Sequence, residues 1–377
     1  MRIVHVTTLF SPCVGGIEIA SQKIAEEQAK LGHEVYIITS DACIERSPRI
    51  ERNFITIIRV RSWNVLYPNI VNFITPKEIP INILKNSDVV IGWGHIFYFV
   101  YKILDKVKKI GTPIALYFIG VDYLRHHYNP IFRLLGYQYQ KFLTKKFVKI
   151  VDMAFTTNEI ERKLLRERYG LDSYVLPHGV DEIYFKLPNM ANHFRKKYGI
   201  DGMIVGYISR IHPTKGLDIL IKAFAKVSNL DRDLILVIAG KGDVNYLRKC
   251  LNIAKKLGIA NKVRYVGYLS EEDKIGLIDA SEIIVLPSRH AGESYPLLID
   301  EVKARGKPLV VTNYGTLPFR VKNMVEGVVV RADPESLAEG IKYVLENTKK
   351  FRVVEVPRTW NNIAKEFTAL LKEISLH

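Results

Sequence analysis

Short apolar runs alternate along most of the chain with longer segments whose apolar positions recur every three or four residues. That alternation predicts strands alternating with helices. Residues 2–7 read as a strand, a loop carrying Gly15 and Gly16 leads to a helix over 17–31, and Gly32-His33 ends it before a strand over 35–39. Residues 40–80 hold one clear strand, 55–60. Strands over 88–92, 113–118, 153–157 and 174–176 follow, with helices over 97–109 and 159–169 between them. The alternation pauses over 181–200, around Pro188, Asn189 and Asn192, and then starts afresh. Strands are expected at 203–209, 234–239, 263–266, 283–286 and 307–312, and helices over 217–227, up to Leu257, from Glu271 and from Pro334. The tail, 360–374, has the pattern of an amphipathic helix. Strand–helix alternation in two blocks predicts two α/β halves, each a doubly wound parallel sheet.

One stretch, 281–308, carries more than its periodicity. Its apolar run over 283–286 stops at Pro287-Ser288. A helix is then expected with Ser294 as its N-cap, Pro296 in the first turn, and Gly306 with Pro308 at its end. A strand feeding a helix N-terminus is an anion site, because free N–H groups and the helix dipole point outward there. Glu293 lies in the intervening loop with Arg289 and His290, and Glu301 lies on the helix. Two carboxylates beside an anion site suit a ligand with both phosphate and hydroxyl groups.

Doubly wound sheets bind ligands beyond the carboxyl ends of their strands. In the first half those ends carry Gly15-Gly16, His95, Asp122 and His178. In the second they carry Arg210, Lys215, the turn from Gly240 to Asp243, and Glu293 with Glu301. Arg210 and Lys215 are fixed positive charges where a diphosphate needs them. His95, Asp122 and His178 read equally as hydrogen-bonded strand-end groups or as contacts to sugar or acceptor, and His290, beside Glu293, reads more readily as a plain loop group than as a sugar contact. Neither a G-x-G-x-x-G fingerprint nor a Walker motif is present.

Charge adds a surface to this picture. The chain of 377 residues has 55 Lys and Arg against 39 Asp and Glu, a net charge of +16. From Tyr123 to Ile150 six basic residues (Arg125, Arg133, Lys141, Lys145, Lys146, Lys149) meet no acidic one, and Tyr128, Phe132, Tyr137, Tyr139, Phe142 and Phe147 are interleaved. An anionic membrane surface suits that pattern, at about 1 kcal/mol per basic residue near lipid. A solvated helix face with its aromatics in the core has the same pattern. No nucleic-acid recognition motif accompanies the charge, so nucleic acid is not an expected partner. No apolar run approaches the roughly 18 residues of a membrane span, and 1–7 read as a strand rather than a leader. Cys13, Cys43 and Cys250 have no metal or redox spacing. The expectation is a cytoplasmic protein, peripheral at the inner face of the membrane where the basic segment meets lipid.

Four segments of the second half resemble the retaining glycosyltransferases of family 4, which have the GT-B fold. They are Ser209-Arg-Ile-His-Pro-Thr-Lys-Gly216, Val237-Ile-Ala-Gly-Lys-Gly242, Val266-Gly-Tyr-Leu269, and Glu293-x7-Glu301 following Leu-Pro-Ser. The first half agrees through Pro12-x2-Gly15-Gly16, Gly32-His-Glu-Val35 and Pro177-His-Gly-Val-Asp181. The resemblance implies two Rossmann-like domains facing across a cleft: an acceptor-binding domain over 1–185, onto which a helix at about 358–377 packs, and a donor-binding domain over 186–357. It implies a UDP- or GDP-sugar held by Gly16, Arg210, Lys215, Gly240, Leu269, Glu293, Leu297, Leu298 and Glu301. Arg210 and Lys215 would stabilise the leaving diphosphate, Glu301 would meet the ribose, and Glu293 the transferred sugar. Backbone N–H groups at Leu297 and Leu298 would face the phosphates. Front-face transfer of this kind needs no metal and no other cofactor. The Asp231-Arg-Asp233 string, which mimics a metal-binding D-x-D, reads as a surface turn. The chain departs from the family pattern at Ile119, where a histidine is common, and at Ser209, Pro296 and Phe319.

The expected activity is therefore transfer of a sugar to an acceptor glycan or a lipid-linked sugar at a membrane surface. A nucleotide-sugar 2-epimerase and a non-catalytic nucleotide-sugar-binding protein are the alternatives on the same architecture.

Overall fold

Runs rich in Val and Ile become parallel strands covered on both faces, as all-parallel sheets require. In the computed structural model sixteen strands are described: β1 (Arg2–Val6), β2 (Glu34–Ser40), β3 (Arg49–Arg52), β4 (Ile55–Val60), β5 (Ser62–Tyr67), β6 (Val71–Pro76), β7 (Val89–Trp93), β8 (Ile114–Phe118), β9 (Met153–Thr156), β10 (Tyr174–Val175), β11 (Met203–Ile208), β12 (Leu234–Ala239), β13 (Val263–Gly267), β14 (Ser281–Leu286), β15 (Leu309–Thr312) and β16 (Gly327–Val330). The structure describes all residues except Val14, 44–48, Asn53, 68–70, Tyr128, 229–232 and 376–377, and omits the side chains of 49–52, 65–67 and 71–73. Tyr128 of the basic segment and Asp231-Arg232 of the D-x-D-like string therefore lie outside the described residues.

The chain divides into two units, Met1–Gly179 with Arg358–His377, and Val180–Pro357. The first holds an eight-stranded sheet in the order β10-β9-β8-β7-β1-β2-β4-β3, parallel except for β3, and an antiparallel hairpin of β5 and β6. Strand order reverses between β1 and β7. Every residue of β7 and β8 is buried. The second unit holds a six-stranded parallel sheet in the order β13-β12-β11-β14-β15-β16, with its reversal between β11 and β14.

The terminal helix, Trp360–Ser375, belongs to the first unit and buries Trp360, Ile363, Ala364, Phe367 and Leu371 there. Phe367 meets Phe155 and Tyr117 edge-on, with ring centroids 4.7 and 5.3 Å apart. A buried polar chain crosses the same contact. The Trp93 indole N–H donates to His5 Nδ1 (3.0 Å), His5 Nε2 to Gln28 Oε1 (2.8 Å), and the Gln28 amide to Thr368 Oγ1 (3.2 Å). Burial pushes the His5 imidazole down to about 4, which keeps it neutral and suits this one tautomer.

Two expectations are corrected. Cys13 and Cys43 form a disulfide, with Cα atoms 5.9 Å apart, joining the loops after β1 and β2. Their separation of 30 positions hides the pairing from a spacing rule. Because disulfides persist in oxidising compartments and inside hyperthermophiles, cysteine usage does not argue for a reducing cytoplasm. The basic segment is also not one helix. It comprises a 3₁₀ turn (Tyr123–His126), a π-helical turn (Phe132–Gly136) and an α-helix (Tyr137–Val148). Both readings of its pattern hold in part. Leu143 and Phe147 are core, whereas Ile131, Leu134, Leu135 and Phe142 are 66, 67, 64 and 56% exposed. No helix among the described residues is long and apolar enough to cross a membrane.

Candidate active site

The reversal in the second sheet places two loops side by side. One, 209–216, follows β11, and the other, 287–296, follows β14. Backbone contacts lock them together: the Arg289 N–H donates to Thr214 O (2.7 Å), and the Ser288 hydroxyl donates to the same oxygen (3.2 Å). The Arg289 guanidinium also donates to Pro213 O (2.7 Å) and to Asp218 (2.8 Å). Gly216 has φ +68°, and a Cβ there would fall 1.9 Å from Pro287 O, so only glycine lets the loops approach this closely.

That approach sets a buried carboxylate against an ammonium group. Glu293, 7% exposed, accepts from Lys215 Nζ and from Ser288 Oγ (2.7 Å), both through Oε1. These bonds leave Oε2 as the oxygen available to a ligand hydroxyl. Burial alone would push the Glu293 carboxyl up, but Lys215, Ser288 and His290 together outweigh it and hold the group below the usual carboxylate range. The Glu293 carbonyl is pinned too, accepting from the Thr316 N–H and hydroxyl, both at 2.8 Å.

Glu301 behaves oppositely. It sits in the helix Leu297–Ala304 and pairs with Lys274 (2.9 Å), which also pairs with Glu271 (3.0 Å). Burial pushes the Glu301 carboxyl up; Lys274 counters this in part, while Glu271 and Asp181 add to it. Two carboxylates eight positions apart are thus shifted in opposite directions.

Between them begins the helix. Its N-cap is Pro296 and not Ser294: Pro296 is extended (φ −68°, ψ 108°), and the residue ahead of a proline avoids helical geometry, so the helix starts later than the Ser-x-Pro pattern suggests. Leu297 and Leu298 are its first two residues, and their N–H groups precede the first turn's bond from Ile299 N–H to Pro296 O (3.2 Å). Asp300 is occupied by Arg320 (2.6 Å) and the Tyr295 hydroxyl (2.8 Å).

Arg210 is exposed and makes no ion pair among the described residues. Gly240, at φ +137°, allows the turn after β12 to press on Ser209, since a Cβ would lie 1.8 Å from Ser209 O. It also receives the Tyr265 hydroxyl (2.8 Å). Leu269 is buried in a core cluster with Phe194 and Val237, so its side chain packs in the core.

The remaining predicted residues lie in the first unit. Gly16 opens the helix Gly16–Lys30, and a Cβ there would meet nothing within 4 Å. Internal packing therefore does not demand glycine at that position. His95 is fully buried, contacts Gln140 through Nε2 (3.1 Å), and is pushed down to about 4 by burial. Asp122 accepts from Arg168 and from the Tyr169 hydroxyl (2.6 Å). His178 lies between the Tyr117 and Trp360 rings, at 6.1 and 5.7 Å. Ile119 follows β8 and is half-buried. Sequence reasoning missed Ser288, Thr316 and Lys274, which hold the two glutamates. Ser288 was legible as the residue ending the Leu-Pro-Ser run, but Lys274 sits on a helix with no local signal.

This geometry agrees with the comparisons. Residues 14–183 match the model of Glycosyltransferase Family 4, and 191–367 match that of Glycosyl transferases group 1. An uncharacterized glycosyltransferase of Methanocaldococcus jannaschii is 26% identical, the alignment covering 99% of this chain and 98% of that protein. A D-inositol 3-phosphate glycosyltransferase of Corynebacterium urealyticum is 27% identical over 72% of this chain and 67% of its own. Among solved structures, sucrose-phosphate synthase from Thermosynechococcus elongatus superposes with a TM-score of 0.79 at 18% identity, covering 99% of this chain and 98% of that one. The Anabaena protein HepE, solved with UDP and glucose, gives 0.74 at 16% identity over 99% and 100%. With both halves matched in order and the fold shared end to end, the chain belongs to glycosyltransferase family 4 and is a glycosyltransferase of the GT-B type.

Proposed function

We propose that the chain transfers a sugar from a UDP- or GDP-sugar to a lipid-linked or membrane-held acceptor, with retention of configuration and without a metal. The observation that carries this reading is the Lys215–Glu293–Ser288 cluster at the sheet reversal, beside the N-terminus of the helix Leu297–Ala304. Such a site offers positive charge and backbone N–H groups to a diphosphate and a fixed carboxylate oxygen to sugar hydroxyls. As the bond from the anomeric carbon to the diphosphate breaks, Arg210 and Lys215 stabilise the charge gathering on the leaving oxygen. The acceptor hydroxyl adds from the same face, and its proton passes to the departing phosphate. Glu301 accepts from the ribose, and Glu293 Oε2 from the transferred sugar. HepE was solved with UDP and glucose, which supports beginning with uridine donors.

A screen of UDP-, GDP- and ADP-sugars, read by nucleotide release and by proton NMR of the anomeric product, tests this. One donor is expected to be consumed with retained configuration. Glu301→Gln should raise its KM about tenfold while changing kcat less. Release of nucleotide from no donor defeats the reading, and release of a free 2-epimer replaces it with the epimerase.

Membrane attachment rests on one stripe. Exposed positions 131, 134, 135, 138, 141, 142, 145 and 149 recur every three or four residues, placing Ile131, Leu134, Leu135 and Phe142 beside Lys141, Lys145 and Lys149. Lys146 instead turns to the Phe142 and Tyr101 rings, 5.0 and 5.5 Å from their centroids. Changing Lys141, Lys145 and Lys149 to Gln should weaken binding to phosphatidylserine vesicles roughly a hundredfold, at about 1 kcal/mol per charge. Unchanged co-sedimentation would remove the membrane from the proposal.

A further inference from the structure

The first unit contains a partly open cavity of about 220 Å³ that none of the site residues above uses. Its lining is mostly apolar and aromatic, with Leu9, Phe97, Tyr123, Phe132 and Tyr139 among its walls. An apolar cavity of ~150 Å³ already accepts a benzene-sized hydrocarbon and stays free of water. Burial pushes the Tyr123 hydroxyl up to about 12, in keeping with a poorly hydrated wall.

Two further observations point to what enters. Thr8 lines the cavity, is 4% exposed, and its hydroxyl has no hydrogen-bond partner among the described residues. A buried unpaired hydroxyl costs about 1–3 kcal/mol, which marks this wall as one that water does not reach. Phe132 and Gly136, also in the lining, belong to the π-helical turn that exposes Leu134, Leu135 and the basic Arg133, with exposed Ile131 just ahead of it. One short turn therefore contributes both a wall of the cavity and the apolar, positively charged surface suited to anionic lipid.

We propose that this cavity receives part of the hydrocarbon chain of an anionic, phosphate-bearing lipid whose phosphate stays at the basic surface of the π-helical turn. The inference deepens the lipid-linked acceptor reading and rests on it for its biological meaning, but its test needs no transfer reaction. The full chain is titrated calorimetrically with farnesyl phosphate, and with inorganic phosphate as control. Saturable binding of farnesyl phosphate alone is expected. Leu9→Trp, which fills the cavity from a half-buried position, should weaken it at least about tenfold. Thr8→Val, which keeps the volume and the apolar wall, should leave it within about twofold. Thermal melts of both variants establish that they fold.

The proposal is overturned by absence of saturable binding, or by equal affinity in the folded Leu9→Trp variant. It is also overturned if Leu134→Ser with Leu135→Ser abolishes binding while Leu9→Trp does not, since the chain would then lie on the surface alone. Donor turnover by the unmodified chain is measured separately. Turnover without farnesyl phosphate binding leaves the transferase reading standing and removes the cavity from it. Binding without turnover does the reverse.

Discussion

Glu293→Gln is expected to lower kcat by about 10²–10³-fold while leaving the donor KM within a few-fold of its original value. The substitution keeps the shape of the side chain and an oxygen for the Ser288 hydroxyl, but removes the charge set against Lys215. Because the Lys215 side chain is 20% exposed, water can take over part of the lost partner. The fold should therefore survive, with a fall of a few degrees in Tm. The effect concentrates in kcat because charge on the transferred sugar develops during transfer, when a fixed carboxylate matters most. A Glu293→Gln enzyme that turns over normally would leave the carboxylate with a purely structural role in tying the two loops.

Lys215→Met should cost more, about 10³-fold in kcat/KM, because it removes positive charge at the diphosphate and unpairs a buried carboxylate together. Its signature is a change in pH dependence. Burial, the largest influence on Glu293, pushes its carboxyl up and is outweighed in the intact chain chiefly by Lys215. With the folded value depressed, the pair's stabilisation is present above the unfolded carboxyl value of about 4.3 and is lost as pH falls through the folded value. Without Lys215 the sign reverses. The folded value rises above the unfolded one, and stability declines as pH climbs between them. Urea unfolding of both proteins from about pH 4 to 8 reads this directly. The variant should lose stability relative to the parent as pH rises; a constant difference across the range would show that Lys215 does not control Glu293. The double variant with Glu293→Gln should be far from additive, since the two act as one unit.

What was legible in the chain was what is local. The run over 283–286 is buried because a parallel strand covered on both faces needs uninterrupted apolar residues, and β14 is such a strand. Arg210, Lys215 and Glu293 stand out because loops at strand ends carry polar residues for reasons other than packing, and Glu301 because it lies on the helix that follows such a loop. Partners from distant elements were not legible. The pairing of Lys274 with Glu301, the Thr316 bonds to Glu293 and the disulfide between Cys13 and Cys43 each depend on how loops meet, which no local pattern encodes. Ser294 was misread as a cap because Pro296, two residues on, holds the N-cap in extended backbone and delays the helix. Asp122 was found at its strand end, but its engagement by Arg168 and Tyr169 comes from a helix about forty-five residues later.

The terminal helix has a consequence for biosynthesis. Trp360, Phe367 and Thr368 complete the core of a unit whose other residues end at Gly179. At roughly 5–20 residues per second, a ribosome needs about 10–35 s to make the intervening stretch of about 180 residues. Throughout that interval the nascent first unit shows Tyr117, Phe155 and Gln28 to water. The second unit, continuous in sequence, can fold as it emerges. The first is born first and finished last, so a release factor, a stalled ribosome or a stop codon before Trp360 decides whether it closes at all.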